Sequence, residues 1–301
     1  MKKTILLYFL FQFILFSCAS SPVSPGRESP SVFSFVESVV PQWQKFTNGI
    51  DYFHGKISSP KLEFHVLRID LTSPDIKIVV RGGGQDSSGR LTLSTKVSSF
   101  VRSNSLIAGI NAVPFDFVSS KEKQPIQNAG IVISDGELIS PANQRYDALV
   151  FYKFEDSNQS GDSRKVAIVR QSEINSIENI QNAVGGFSQI LLNGEPAQRT
   201  LNREARHPRS AAGLSTNSGY LYLLVIDGKR SGSLGATERE TALLLRSLGS
   251  EDGINFDGGG SSALALRYPN GKVRVVNTPV HGRVPGRERA VAGCIGVSMN
   301  N

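Results

Sequence analysis

Gly219-Tyr220-Leu221-Tyr222-Leu223-Leu224-Val225-Ile226-Asp227-Gly228 is the run that decides the fold class of this chain. It is almost wholly apolar, rich in aromatic and β-branched side chains, and punctuated by glycine at both ends, which is the pattern of a buried strand. With Ala211-Ala212-Gly213-Leu214-Ser215 just upstream it predicts a hairpin. Working outward, residues 62–69 alternate apolar and polar, as a half-buried strand should, and Ile76–Val80 is expected to pair with them through the turn Thr72-Ser73-Pro74-Asp75. Gly82-Gly83-Gly84 reads as a hairpin tip. Residues 106–110 form a short apolar strand ending at Asn111, residues 130–139 a hairpin around Asp135-Gly136, and residues 148–154 and 190–195 further strands. Residues 156–164 read as a polar surface loop, and Leu264–Arg267 should pair with residues 273–276 across Pro269-Asn270-Gly271.

Two stretches read as helix. Residues 238–248 follow Thr237 as N-cap, carry Glu240 at the third helical position and stop at Gly249, a complete capping box with a glycine terminator. Residues 93–103 have apolar positions at helical spacing (Val97, Phe100, Val101), with Thr92 or Ser94 as the expected cap. Strands outnumber helices by about three to one, which predicts an α+β (mixed α/β) fold, a single strand-rich domain with few helices and not a doubly wound Rossmann fold.

The N-terminus reads as an export signal over 1–17: Lys2 and Lys3 precede an apolar run over 5–16 that is too short to span a bilayer. Leu15-Phe16-Ser17-Cys18 has the form of a bacterial lipobox, with Phe16 bulkier than is usual at its position, so Cys18 is the expected lipidation site. Residues 18–40 then read as a Ser/Pro-rich tether, and 41–301 as the folded domain. The expectation is an exported bacterial lipoprotein, periplasmic or on the cell surface, held to the membrane through its lipid anchor only. Cys294 is the one other cysteine, so the processed chain has no internal disulfide, and its apolar surroundings predict a buried thiol. Removing Lys2 and Lys3 lowers the formal charge from +7 to about +5. The basic residues are scattered and not interleaved with aromatics, which argues against nucleic acid as a partner and fits attraction of anionic glycans or phosphates.

Chemistry concentrates at Asn255-Phe256-Asp257-Gly258-Gly259-Gly260-Ser261-Ser262. Three consecutive glycines give up side-chain packing, at roughly 0.5–1 kcal/mol each relative to alanine in regular structure. Such a segment persists where the backbone needs φ > 0 or where something approaches it closely, and Asp257, Ser261 and Ser262 make that something a phosphate, a sugar or a metal. Asp227 likewise ends an apolar strand, so the two carboxylates can meet at one edge and divide acid and base roles. Glu240 serves its helix cap and also leads into the Asp257 loop. Arg203, Arg206 and Arg209 precede a strand, and a guanidinium can hold two phosphate oxygens. Asn111 either orients a substrate hydroxyl or begins a turn. His54, His65, His207 and His281 lack recognised metal-ligand spacing and read as ordinary.

Several segments in order resemble the phosphodiester glycosidase domain family, which includes the uncovering enzyme, N-acetylglucosamine-1-phosphodiester α-N-acetylglucosaminidase, and bacterial exported proteins. They are Pro208-Arg209-Ser210-Ala211-Ala212-Gly213, Gly235-Ala236-Thr237 with Glu240, the run 255–262, Asn277 with Pro279, and Glu288-Arg289-Ala290-Val291-Ala292. Gly49-Ile50 with Tyr52, and Ile110-Asn111 with Phe115-Asp116, extend the resemblance over roughly residues 48–298. The chain departs from the family at Asn111-Ala112-Val113-Pro114, where the family carries glycines. The resemblance implies hydrolysis of a glycosyl-1-phosphodiester at the sugar–phosphate bond. It implies Asp257, Glu240 and Asp227 as catalytic carboxylates, and Arg209, Arg289, Asn111, Gly258, Gly259, Gly260, Ser261 and Ser262 as substrate-binding residues. No organic cofactor is implied, and a divalent metal stays open. Two other readings compete: a non-catalytic glycan-binding envelope lipoprotein, and a metal-dependent phosphoesterase.

Overall fold

The computed structural model describes residues 34–81, 92–153, 166–201 and 203–300. The export signal, Cys18, most of the tether, the glycines at 82–84 and the loop at 156–164 lie outside the described residues. An eight-stranded sheet dominates, in the order Gln44–Thr47, Ile50–Ser58, Lys61–Asp70, Tyr220–Ile226, Arg209–Leu214, Asp252–Asn255, Ser188–Leu192 and Glu195–Pro196. A second sheet runs Val273–Val275, Leu264–Arg267, Ala108–Asn111, Cys294–Met299 and Ile76–Val80. The third runs Val166–Arg170, Asp147–Tyr152, Ile180–Gly185, Val132–Ser134 and Glu137–Ser140. Among the described residues every strand pairing within these sheets is antiparallel, so the fold is strand-rich α+β, and the mixed α/β alternative, with its parallel crossovers, falls away.

The run 219–228 explains the layering. Its strand, Tyr220–Ile226, sits centrally, paired with Lys61–Asp70 on one side and Arg209–Leu214 on the other. Successive side chains point to opposite faces. Leu221, Leu223 and Val225 enter a core shared with the second and third sheets, alongside Ile110, Leu149, Val184 and Leu264. Leu224 and Ile226 enter a separate core against Leu243, Leu244, Leu245 and Leu248 of the helix Glu238–Leu248. Both faces are covered, which is why the run is apolar throughout instead of alternating. Each buried leucine of that helix contributes roughly 1.5–3 kcal/mol of apolar transfer.

The hairpins at Asp135-Gly136 and Asn270-Gly271 form as the turn chemistry predicts; Asp135 and Gly136 both take positive φ, 49° and 85°. The capping box at Thr237 and Glu240 is complete, and Gly249 ends the helix at φ 108°. Three expectations change. Ile76–Val80 pairs with Cys294–Met299 in the second sheet, because both edges of Lys61–Asp70 are taken by Ile50–Ser58 and Tyr220–Ile226. The second helix is Val97–Ser103, and neither Thr92 nor Ser94 caps it. Glu122 accepts from the Lys96 amide at 2.7 Å and Glu288 from the Ser98 amide at 2.9 Å, so its caps come from distant chain. Finally, the compact unit extends back from the expected 41: Ser34–Glu37 is helical and Val36 is buried in the core against the long helix.

Candidate active site

Tyr220–Ile226 and Asp252–Asn255 both run antiparallel to Arg209–Leu214, so Asp227 and Asp257 emerge at the same edge of the large sheet. Asn111, at the end of the central strand of the second sheet, ties this edge together. Its Nδ2 donates to the Asp257 carbonyl at 2.6 Å, and its Oδ1 accepts from the Ser210 hydroxyl at 2.7 Å and the Ala263 amide at 3.1 Å. The Asp257 amide donates to the Ala112 carbonyl at 2.8 Å. Asn111 is 1% exposed and its polar atoms are engaged, so it braces the Asp257 loop from beneath.

Each glycine of the loop has its own reason. A Cβ on Gly258 would stand 2.8 Å from the Pro208 carbonyl oxygen, Gly259 takes φ +64°, and a Cβ on Gly260 would overlap the Arg289 guanidinium. The amides of Gly259, Ser261 and Ser262 donate to the carbonyls of Pro208, Gly258 and Gly259, so they hold the loop's own shape. Arg289 is laid flat over the loop. Its Nη1 donates to the Ser261 hydroxyl at 3.1 Å and its Nε to His281 Nδ1 at 3.2 Å. The Ser261 hydroxyl and the Gly258 amide both act on the Asp257 carboxyl and favour its ionised form.

Electrostatics set Asp257 apart. Burial pushes its carboxyl up from the ordinary 3.8 to about 6, against the downward pull of Ser261, the Arg289 charge and the Gly258 amide. Part of its surface stays open to solvent. Burial holds Arg289 below its usual range, opposed by Asp257. Burial, Arg289 and Arg287 lower His281, so the imidazole is neutral and accepts from Arg289 at Nδ1. A carboxylate poised near neutrality thus shares the glycine loop with a half-buried cation, a setting for acid–base work and for holding an anion.

The other expected residues are placed elsewhere. Glu240 is 1% exposed, closes its capping box on the Thr237 amide at 2.9 Å and pairs with Arg206. The Arg209 backbone passes Gly258, but its guanidinium turns to the Ala236 and Ala205 carbonyls at 3.0 and 3.2 Å and to Glu238 at 3.6 Å. The Asp257–Arg289 pair therefore does not share Arg209. Asp227 is 1% exposed and accepts from Arg230 at 2.6 Å, Asn277 Nδ2 at 3.1 Å and the Thr278 amide at 2.9 Å. Asn277 also donates to the Ser262 carbonyl at 3.0 Å, so Asp227 braces the glycine loop through Asn277. Ser262 is buried and its hydroxyl has no hydrogen-bond partner among the described residues. His281, treated as ordinary in the sequence, is the residue the reading missed. Its only signal was its place between Pro279 and Arg289.

The sequence model of the phosphodiester glycosidase family matches residues 104–298. A search of curated proteins returns no match. Among solved structures, a protein of Synechocystis aligns with a TM-score of 0.59 at 16% identity, covering 87% of this chain; the chain spans 64% of that protein. The catalytic domain of zebrafish N-acetylglucosamine-1-phosphodiester α-N-acetylglucosaminidase, auto-inhibited by its pro-peptide, aligns at 0.61 and 19% identity, over 87% of this chain and 85% of that one. A protein of Burkholderia pseudomallei aligns at 0.60 and 14% identity, over 79% and 74%. At these identities the structural likenesses bear on the fold alone.

Proposed function

We propose that this chain, which belongs to the phosphodiester glycosidase family, is an exported hydrolase that cleaves the sugar–phosphate bond of a glycosyl-1-phosphodiester. The observation that carries this reading is the Asp257 carboxyl at the head of a glycine loop that Arg289 reaches through Ser261 and Gly260; burial pushes that carboxyl up to about 6. The diester binds with its phosphate against Arg289 and its anomeric carbon toward Asp257. Asp257 takes a proton from water, the water oxygen bonds to the anomeric carbon, and the bond from that carbon to the phosphate oxygen breaks. The electron pair leaves on a phosphomonoester, whose added negative charge Arg289 stabilises. A phosphate is already a good leaving group, so the step needs no carboxylic acid, in keeping with the commitment of Asp227 and Glu240 to supporting bonds. Among the described residues the loop brings one carboxylate, Asp257, to this position, which favours one displacement and inversion at the sugar over a covalent intermediate.

Leu15-Phe16-Ser17-Cys18 supports the further proposal that the mature protein is lipid-anchored at Cys18, and the Ala112-Val113-Pro114 departure supports a substrate range of its own. The test is turnover of a chromogenic sugar-1-phosphodiester in water enriched in heavy oxygen, with mass spectrometry of the products. Label in the sugar is expected. Label in the phosphate would replace this reading with phosphoesterase chemistry.

A further inference from the structure

Beside the candidate active site, the strands Ile50–Ser58 and Lys61–Asp70 bring two histidines and a carboxylate together. His54 and His65 are direct cross-strand partners, and Glu63 lies two residues before His65, hence on the same face. The two imidazoles stack with centroids 4.3 Å apart and planes 7° from parallel. One ligand atom from each of His54, Glu63 and His65 lies within 4.8 Å of the other two. We propose that these three residues bind a divalent transition-metal cation, with Zn²⁺ as the best match to two imidazoles and one carboxylate.

The chemistry of each donor fits. His65 is 4% exposed and lies against His54, so its imidazole is a donor sheltered from water. Its Nδ1 meets the Tyr52 hydroxyl at 2.6 Å. Tyr52 therefore takes one ring nitrogen and leaves Nε2 as the ligand, the arrangement by which outer hydrogen bonds orient metal-binding histidines. His54 is the exposed member and gives an ion its way in. Glu63 turns its carboxylate to His54, Lys56 and Arg230, so it lies where a cation is already held.

Tetrahedral Zn²⁺ with bonds of about 2.0–2.1 Å needs ligand atoms about 3.3 Å apart. Stacked rings aim their in-plane lone pairs in parallel, so binding requires the exposed His54 ring to rotate out of the stack until its nitrogen points at the ion. Three protein ligands leave a fourth position for water.

The opposing charges are as visible. Lys56 lies 3.2 Å from Glu63 Oε1, and Arg230 pairs with Oε2 while also holding Asp227 at 2.6 Å. Arg230 is hydrogen-bonded on both sides and stays. Lys56 is 67% exposed on a flexible stem, and the incoming ion displaces it. A simple ion-pair cluster would account for Glu63, Lys56 and Arg230. That cluster takes in His54, whose Nε2 lies 2.7 Å from Glu63 Oε1, but leaves outside it the buried His65, oriented by the half-buried Tyr52. Through Glu63 and Arg230, an ion here sits two side chains from Asp227, which braces the glycine loop.

The experiment is Co²⁺ and Zn²⁺ titration of purified, chelator-stripped protein, read by calorimetry and by the visible absorption of bound Co²⁺. One equivalent is expected, with affinity weakened by at least about tenfold in His54→Ala and Glu63→Gln. His54→Ala removes an exposed side chain and so tests the site in a folded protein even if Glu63→Gln misfolds. Lys56→Ala should tighten binding severalfold by removing the competing cation. Absence of a saturable equivalent, binding undiminished in His54→Ala, or affinity unchanged in Lys56→Ala would each overturn the assignment.

Discussion

Replacing Asp257 by asparagine should abolish turnover and at the same time make the protein more stable at neutral pH. In the folded chain the carboxyl is pushed up from 3.8 to about 6, so the native state holds its proton more tightly than the unfolded state does. The sign follows from that difference. Below pH 3.8 the group is protonated in both states and contributes nothing. Between 3.8 and about 6 stability falls as pH rises, and above about 6 the full penalty for burying the charge is present. A shift of about two units at 1.36 kcal/mol each is close to 3 kcal/mol. Part of Asp257 stays open to solvent, so about 2 kcal/mol is the expected gain for the neutral asparagine, which can still accept from Ser261 and Gly258. Denaturant unfolding of both proteins at pH 4, 5, 6, 7 and 8 measures it. The stability curves should converge toward pH 4 and separate through pH 6, with the variant on top. A variant no more stable than the parent at pH 7, or a gap that does not change with pH, would refute the reasoning about burial. Retained turnover would refute the catalytic role.

Other outcomes follow from the same geometry. If ionised Asp257 is the base, activity should rise through about pH 6, with roughly a tenth of the limiting rate at pH 5 and nine tenths at pH 7, read from a pH–rate profile. Arg289→Met removes the cation that holds Asp257 down, so the acid limb of that profile should move to higher pH while KM for the diester rises by about tenfold or more. Gly260→Ala places a Cβ against the Arg289 guanidinium and should lower kcat/KM far more than it lowers the unfolding midpoint. Asn111→Ala leaves the Ser210 hydroxyl, the Ala263 amide and the Asp257 carbonyl without their partner, at about 3 kcal/mol or more of stability in denaturant unfolding.

Sequence alone determined the local elements and singled out the carboxylate at the glycine loop. The run at 220–226 could only be a strand, the Thr237–Glu240 box and Gly249 bounded their helix, and Asp-Gly and Asn-Gly marked their turns, because each of these preferences acts over a few residues. Asp257 and its glycines stood out for the same reason: the requirements for close approach and positive φ are written in residue type. What surrounds Asp257 was decided by tertiary structure. Asp227, Glu240, Arg209 and Asn111 carry residue types as suited to a site as Arg289, and only the packing of the sheets turned their side chains into braces and left Arg289 over the loop. His281 gained its partner, and Glu122 and Glu288 became helix caps, through contacts spanning from eight to 190 positions along the chain. The pairing of Ile76–Val80 was settled by which strand edges were already filled. Hydrogen bonds and burial of this kind depend on neighbours in space, and a side chain's chemistry does not say which neighbour it will meet.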